Sequence, residues 1–245
     1  MSSPPSSPPP PPPPLTFELA LTPDGRRDAL RLVADSIAQQ RQVAALAIIF
    51  HPFCLAVLVA ACAFVWRHSG PDLVGSLITV CGLIMAYLAA VRLYTAPFLR
   101  LAESFDCASF LAADDLVLVA RFGPDLIGTL VLRLPSEDDE KNSRSFIRAW
   151  TTLLRFRGKG IGADLLRYAV TATRTSCGDT TSLAFDPDHA NASIPISGFF
   201  RRPFTVRDEK AARALEHALR DCDANNGGFT PVENHVAARK KRVAL

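Results

Sequence analysis

Two long stretches without charged side chains constrain the fold of this chain more than any other feature. No Asp, Glu, Lys or Arg occurs in residues 42–66 or in residues 73–91. A helix needs roughly 20 apolar residues to cross the hydrocarbon core of a membrane, and each stretch is close to that length. The alternative is a pair of deeply buried helices in a soluble protein. We predict a transmembrane helical hairpin over residues 43–94, with spans at about 43–66 and 73–94.

Proline and arginine positions refine the predicted hairpin. Pro52 lies inside the first span, where it removes a backbone donor and should kink the helix, while His51 would bond a carbonyl or a water. Arginines are frequent on both outer flanks, whereas Arg67 alone precedes the predicted turn at His68–Pro71. The bulk of the protein should therefore face the cytosol, as an integral protein of an internal membrane such as the endoplasmic reticulum. The flanking arginines are Arg26, Arg27, Arg31, Arg41, Arg92 and Arg100.

Charge and cysteine content argue against several classes of function. The net charge is only +3 with 21% charged residues, which gives no basis for nucleic-acid binding. The six cysteines show no Cys-x-x-Cys spacing, so neither a disulfide framework nor a metal site is predicted, and a reducing compartment is the simpler assumption. A cytosolic domain also leaves the sequon Asn191-Ala192-Ser193 without a glycan.

The two ends of the chain have compositions that do not build a core. Residues 1–14 consist almost entirely of proline and serine, so we predict a disordered leader that a proline-recognising domain could bind. Residues 223–245 are predicted to form a flexible tail containing the basic run Arg239–Arg242. Between the two ends, residues 15–42 should supply a first strand and helix, and residues 95–222 the remainder of the same folded domain.

Residue alternation and helical spacing predict strands and helices on both sides of the hairpin. Before and after it we expect a strand at Phe17–Thr22, a helix at about 26–41, and a β-hairpin formed by Leu116–Phe122 and Leu126–Leu134. Residues 135–145 are predicted to be a mobile acidic loop. The rest is predicted as a strand at Phe146–Phe156, a helix at about 160–175, a strand at Thr181–Phe185, a turn or short helix at Asp188–Ser197, a strand at Phe199–Val206 and a helix from Asp208 to about 222.

A glycine-rich turn, Arg157–Gly162, joins the fourth predicted strand to the next helix, and we call it the glycine loop. A strand that passes through glycines into a helix leaves backbone N–H groups at the positive end of the helix dipole, which suits a phosphate group. A Walker loop does not fit, because Lys159 is followed by Gly160 instead of Ser or Thr. The glycine spacing at 158, 160 and 162 does not fit the dinucleotide fingerprint either. A bare glycine-rich turn without a ligand is the remaining alternative.

The spacing Arg157-x-x-Gly160-x-Gly162, between a strand and a helix, resembles the acetyl-CoA-binding loop of the GCN5-related N-acetyltransferase (GNAT) family. The pairs Ile127-Gly128 and Gly198-Phe199 also resemble dipeptides of that family, in its third strand and after its last helix. The resemblance implies an α/β fold, the acyl-CoA N-acyltransferase (GNAT) mixed sheet flanked by helices, interrupted by the inserted two-helix transmembrane hairpin. The position of that hairpin is similar to its position in a membrane-bound subfamily.

This resemblance implies a reaction and a set of binding residues. The protein is expected to be a membrane-anchored N-acetyltransferase that transfers acetyl from acetyl-CoA to a primary amine of a small molecule or of a protein lysine or N-terminus. No metal is implied. The pantetheine arm would extend along Thr152. The pyrophosphate would be bound by Arg157, Gly158, Lys159, Gly160, Ile161 and Gly162.

The residues for proton transfer are less clearly marked in the sequence. The family often has a tyrosine four residues before the glycine of its Gly-Phe pair, but Ile194 occupies that position, so Ser193 or a water would have to substitute. His189 is the candidate base because histidine is the residue type suited to proton transfer near neutral pH, and Asp186 and Asp188 lie beside it. A solvated surface histidine is the alternative. The absent tyrosine also leaves open a second class of function, a non-catalytic membrane adaptor with a degenerate acetyltransferase fold.

Overall fold

A five-stranded β-sheet is the centre of the first of two structural units. The computed structural model describes residues 13–68, 73–112, 114–135, 144–178 and 181–224. Residues 33–112 and 185–214 form the second unit, and the rest of the chain belongs to the first. The strands are β1 (Leu15–Leu19), β2 (Leu116–Phe122), β3 (Asp125–Arg133), β4 (Arg144–Thr152) and β5 (Ser182–Phe185). The helices are α1 (Pro23–Ile49), α2 (Pro52–His68), α3 (Leu73–Tyr94), α4 (Ala96–Glu103), α5 (Cys107–Phe110), α6 (Ile161–Cys177) and α7 (Arg202–Ala224).

The sheet has the strand order β1-β2-β3-β4-β5, and β1 to β4 pair antiparallel with their neighbours. The predicted hairpin of β2 and β3 is confirmed, with Gly123 in the left-handed region (φ 63°) at the connecting turn. β1 lies slightly earlier than the predicted strand. β4 ends at Thr152, before the predicted end at Phe156, because the chain then turns through a 3-10 helix at Leu154–Phe156.

Helix α6 covers one face of the sheet, where it packs against β2, β3 and β4. The predicted helix at about 160–175 is confirmed, and Ile161, Leu165 and Leu166 are buried along one side of it, as helical spacing requires. A β carbon on Gly128 would lie 2.9 Å from Leu165 Cδ1, closer than side chains normally approach. The glycine of the predicted Ile127-Gly128 pair therefore lets α6 lie directly on β3.

Helix α6 also carries the chain from β4 to β5, its neighbour in the sheet. A crossover of this kind is the connection that parallel neighbours require. Among the described residues, β5 contacts β4 far less than the antiparallel neighbours contact one another. The edge of β4 that faces β5 is thus only weakly covered.

The second unit is built mainly from helices. α1 runs without interruption to Ile49, so it is longer than the helix predicted at 26–41 and passes through the predicted start of the first span. Its buried stripe continues over the same length, through Val33, Ile37, Ala44 and Ile48.

The apolar helices of this unit have the length and composition of membrane spans. The helical segment Leu73–Glu103 passes that test alone, whereas α1 and α2 pass it only as a pair bent by 56°. Length and composition therefore allow one span, or two if the bent pair counts as one. α2 and α3 pack against each other. Large apolar side chains on them nevertheless remain exposed, among them Phe53, Val57, Phe64, Leu77 and Met85.

The predicted kink at Pro52 is confirmed as the break between α1 and α2. Proline at this position supplies no N–H to the carbonyl of Ile48. The Ile48 carbonyl accepts the N–H of His51 at 3.1 Å. The Tyr87 hydroxyl from α3 also donates to this carbonyl at 3.1 Å and to that of Ile49 at 3.3 Å. His51 was expected to bond a carbonyl or a water, but its Nδ1 accepts the N–H of Phe53 at 3.3 Å.

The strand predicted at Phe199–Val206 is wrong. Gly198–Phe200 form a 3-10 helix, and α7 begins at Arg202, so Asp208 lies within this helix and does not cap it. Proline is tolerated in the first turn of a helix, which is where Pro203 lies. The segment becomes helical because Phe204 is buried in a cluster with Ala44, Phe98 and Ile196.

Several sequence predictions concern residues outside the described part of the chain. The leader up to residue 12, residues 69–72 of the predicted hairpin turn, residues 136–143 of the acidic loop and the tail from residue 225 all lie there. The predictions for these segments stay predictions.

Candidate functional site

The glycine loop begins where β4 leaves the sheet. The N–H of Leu153 donates to the carbonyl of Ile127 at 2.8 Å, so Leu153 bonds towards β3. Backbone groups of a strand alternate between its two edges, so the N–H and C=O of Thr152 point towards the edge that faces β5. At that edge the Thr152 carbonyl accepts a hydrogen bond from Arg157 Nε at 3.1 Å. The loop is therefore tied back to the strand it follows.

Two glycines set the path of the loop. After the 3-10 turn, Gly158 has φ 73° and Gly160 has φ 88°, both in the left-handed region. A β carbon in that region meets the neighbouring backbone, so glycine is strongly favoured at both positions. These conformations turn the chain directly from β4 into the first turn of α6.

The first turn of α6 presents backbone donors. Gly160 is its N-cap, and no side chain caps this end of the helix. The N–H of Asp164 bonds to the Gly160 carbonyl at 3.1 Å, so the N–H groups of Ile161, Gly162 and Ala163 precede the first intrahelical bond. Because α6 is 17 residues long, the positive end of its dipole reinforces these donors. The arrangement suits a phosphate oxyanion.

Close packing against β4 favours glycine at position 162. A β carbon at this position would lie 3.0 Å from Cζ2 of Trp150 on β4. The Trp150 indole also donates from Nε1 to the Gly162 carbonyl at 3.2 Å. The strand and the first turn of α6 are thus held together directly beneath the loop. Sequence reasoning selected Gly162 but missed Trp150, whose role depends on a contact across the fold.

Cationic side chains surround the loop. Burial lowers the pKa of the Arg157 guanidinium from its ordinary value, but arginine remains charged at neutral pH. Lys159 Nζ lies 5.8 Å from the centre of the Phe156 ring, and the Arg155 guanidinium lies 4.9 Å from the same ring. Arg155 also pairs with Asp125 at 3.2 Å on the surface. Arg157 and Lys159, both predicted site residues, therefore belong to the same turn as the N–H donors.

One acidic residue in the first turn of α6 was not among the predicted site residues. Asp164 is 1% exposed, and a buried carboxylate here would oppose the binding of an anion. Arg167 offsets its charge, because Arg167 Nη1 contacts Asp164 Oδ1 at 2.8 Å while its other nitrogens contact Asp221. The spacing of Asp164 and Arg167, three residues apart on a helix, is the sequence signal that could have indicated the pair.

The candidate base His189 lies in the second unit. Its backbone N–H and its ring Nδ1 both contact the Asp186 carbonyl, at 3.1 and 3.0 Å. A carbonyl only accepts hydrogen bonds, so in the neutral imidazole Nδ1 carries the proton and Nε2 is the acceptor. The turn thus favours one tautomer of the histidine. Asp186 Oδ1 accepts the N–H of Asp188 and shapes the same turn.

Ile194, at the position where the family often has tyrosine, also lies in the second unit. It packs against the cluster of Ala44, Phe98, Ile196 and Phe204. An aliphatic side chain in this place stabilises the core and cannot donate a proton.

The family comparison agrees with the geometry of the first unit. Residues 84–195 match the profile of the Acetyltransferase (GNAT) family. This match supports the GNAT family and suggests acetyltransferase activity. The five-stranded sheet flanked by helices also fits the GNAT fold. No curated protein and no solved structure matches the chain.

The match to the GNAT profile covers only part of the chain. It begins within α3 and includes β2 to β5, the whole glycine loop and His189, whereas β1, α1 and Gly198-Phe199 lie outside it. The match supports, at the level of the family, the resemblance deduced from the glycine spacing. The match does not address the membrane-bound subfamily or the individual site residues.

Proposed function

We propose that the protein is a membrane-anchored N-acetyltransferase that transfers the acetyl group of acetyl-CoA to a primary amine. The observation that carries this proposal is the geometry of the glycine loop. Two glycines in the left-handed region lead into the first turn of α6, which no side chain caps, and Arg157 and Lys159 belong to the same loop. This loop lies inside the segment that matches the GNAT family.

The residues of the first unit fit the chemistry of acetyl-CoA. The N–H groups of Ile161, Gly162 and Ala163 would bind the pyrophosphate, with Arg157 and Lys159 adding charge-assisted contacts. The Thr152 N–H points to the weakly covered edge of β4 and would donate to a carbonyl oxygen placed there. We therefore propose that Thr152 binds the cosubstrate together with the glycine loop. It would do so through its N–H, because its carbonyl already accepts a hydrogen bond from Arg157.

When bound, acetyl-CoA supplies an acetyl group activated as a thioester. The acceptor amine must lose a proton before or during attack, which requires a base within reach or through one water. We propose Nε2 of His189 for this role, because the Asp186 carbonyl holds the proton on Nδ1. Coenzyme A thiolate is a moderately good leaving group, with a reference thiol pKa of about 8.5, so the aliphatic Ile194 does not prevent the reaction.

The exposed apolar helices support the membrane anchor. α2 and α3 pack together and still expose large apolar side chains, which is unfavourable in water and favourable in hydrocarbon. With arginines concentrated on the outer flanks, the GNAT domain would face the cytosol on an internal membrane such as the endoplasmic reticulum. The proline leader would remain available to a proline-recognising domain.

A non-catalytic membrane adaptor is the second candidate, and the observation that favours it is Ile194. This residue is part of an aliphatic and aromatic cluster, so the usual proton donor is absent from its expected place. An adaptor would bind coenzyme A, or no ligand, without transferring the acetyl group.

The full chain in a mild detergent, given labelled acetyl-CoA and a pool of primary amines, tests both candidates. We expect free thiol to be released only when an amine is present. Gly160→Val should weaken acetyl-CoA binding by at least about tenfold, because it displaces donors to a charged group. The matched control is Gly178→Val at the other end of α6, where the glycine has the same φ of 88°.

Three outcomes of this experiment are informative. Amine-dependent thiol release that Gly160→Val abolishes and Gly178→Val retains supports the enzyme. Binding of acetyl-CoA without thiol release identifies the adaptor. Equal binding by wild type and Gly160→Val shows that the glycine loop is not the site.

A further inference from the structure

A groove in the second unit is lined by none of the residues proposed for acetyl transfer. Its volume is about 590 Å³, within the range of small-molecule sites. One wall comes from the second half of α1, and the other from the end of α3 with Thr95. The lining residues are Asp35, Ala38, Gln39, Arg41, Gln42, Ala45, Ile49, Leu88, Val91, Arg92 and Thr95.

Two arginines line the groove without a carboxylate partner among the described residues. Arg41 Nη2 donates to the backbone carbonyl of Arg92 at 3.4 Å, and neither guanidinium forms an ion pair there. The contrast on the same helix is clear, because Arg27 and Arg31 each pair with an aspartate one turn earlier. The positive charge of Arg41 and Arg92 is therefore available to an anion.

The groove changes from charged to apolar along its length. Arg41 of α1 contacts Arg92 of α3, while Tyr87 of α3 bonds the carbonyls of Ile48 and Ile49, so the two helices run antiparallel here. The eight residue steps from Arg41 to Ile49 span about 12 Å of helix. The apolar end, formed by Ala45, Ile49, Leu88 and Val91, is thus continuous with the two apolar helices.

We propose that this groove binds an anionic phospholipid. Its phosphate would lie at Arg41 and Arg92, and the first part of an acyl chain would follow the apolar wall. The lining carries two arginines and one carboxylate, Asp35, which lies six residues before Arg41 on the same helix. The excess of positive charge favours an anionic over a zwitterionic headgroup. A free phosphate would leave the apolar wall unused. The proposal rests on the membrane anchor proposed above and is independent of acetyl transfer, so failure of one does not imply failure of the other.

Native mass spectrometry of the full chain in a non-ionic detergent tests this site. The probes are dioleoyl phosphatidic acid, dioleoyl phosphatidylcholine and inorganic phosphate. We expect phosphatidic acid to bind at least about tenfold more tightly than phosphatidylcholine, from contacts of its phosphate to two charged donors. The double variant Arg41→Gln, Arg92→Gln should remove this preference.

Two further variants test whether a loss of the lipid preference comes from the two groove arginines themselves. The control Arg27→Gln, Arg31→Gln removes the same charge from exposed positions of the same helix and should retain the preference. Leu88→Gln should weaken the binding of both lipids and leave their ratio unchanged, because it alters the apolar wall alone. Far-UV circular dichroism confirms that each variant is folded.

Several results would overturn the proposal. These are equal affinity of the wild type for both lipids, a preference that survives in the Arg41→Gln, Arg92→Gln variant, or inorganic phosphate binding as tightly as phosphatidic acid. The last result would mean that the apolar wall contributes nothing.

Discussion

Helix α6 and the pair α2 and α3 are rich in the same apolar residue types, but they place them in opposite environments. On α6, Leu165 and Leu166 are fully buried against the sheet, whereas on α3 Leu77 remains 60% exposed. α6 has one apolar face and one polar face, so a single partner covers its apolar side chains. α2 and α3 are apolar on all sides, and packing one against the other leaves most of that surface uncovered. Such a surface is more stable in an apolar solvent than in water, and this is the physical argument for the proposed membrane anchor.

The largest expected effect tests the environment of α3 directly. Ile84→Lys with Met85→Lys places two charges at the middle of the helix and should cost about 5–7 kcal/mol in a bilayer. We expect the variant to be lost from membranes in alkaline carbonate extraction. Thr175→Lys with Ser176→Lys, which adds the same charge on the exposed side of α6, should not change extraction. If both variants extract alike, α3 does not lie in the membrane.

A smaller effect tests the buried side of the comparison. Leu165→Ala should lower the free energy of unfolding by about 2–5 kcal/mol, because it leaves a cavity between α6 and the sheet. Leu77→Ala removes the same atoms from an exposed position and should cost less than about 1 kcal/mol. Chemical denaturation in detergent measures both. Equal losses would show that Leu77 has a protein partner.

The contact beneath the glycine loop has a more moderate effect. Gly162→Val adds a side chain whose β carbon would lie 3.0 Å from the Trp150 ring, and overpacking of this kind costs about 1–3 kcal/mol. In a Trp150→Phe background the smaller ring should make the same substitution less costly. An unchanged cost in the double variant would mean that Trp150 is not what restricts this position.

The smallest expected effect concerns the helix break. Tyr87→Phe removes the hydroxyl that donates to the carbonyls of Ile48 and Ile49. Because the Ile48 carbonyl keeps the N–H of His51, the cost should be only about 0.6–1 kcal/mol, in the range found for hydrogen bonds between membrane helices. Pro52→Ala restores an N–H that can reach the Ile48 carbonyl. Thermal unfolding should therefore show a smaller cost of Tyr87→Phe in the Pro52→Ala background. If the costs of the two substitutions are additive, the Tyr87 hydroxyl does not compensate for the N–H that Pro52 lacks.

Features that rest on local pattern were predictable. The β2–β3 hairpin, the inward face of α6 and the break at Pro52 follow from alternation, helical spacing and the missing N–H of proline. The glycine loop was recognised because glycine spacing and flanking elements are local as well. A resemblance to the GNAT family could be inferred from that spacing before any geometry was known.

Features that depend on distant partners were missed. Phe199–Val206 has strand-forming residues, yet it begins a helix because Phe204 packs against Phe98 and Ala44. Asn191 belongs to a glycosylation sequon, but its side chain accepts from Gln40 at 2.6 Å and donates to Ser36 at 3.3 Å. Both sets of contacts join residues that are far apart in the sequence, and no local motif predicts them.

The sequence by itself determined the glycine loop, the order of the sheet elements around it and the apolar character of α2 and α3, because glycine conformations and hydrophobic periodicity are local properties. Only the tertiary structure decided that Thr152 turns its N–H to the edge facing β5, that Trp150 lies against Gly162, and that Arg41 and Arg92 line one groove. These arrangements depend on strand register and helix packing, which bring together residues that no local pattern connects.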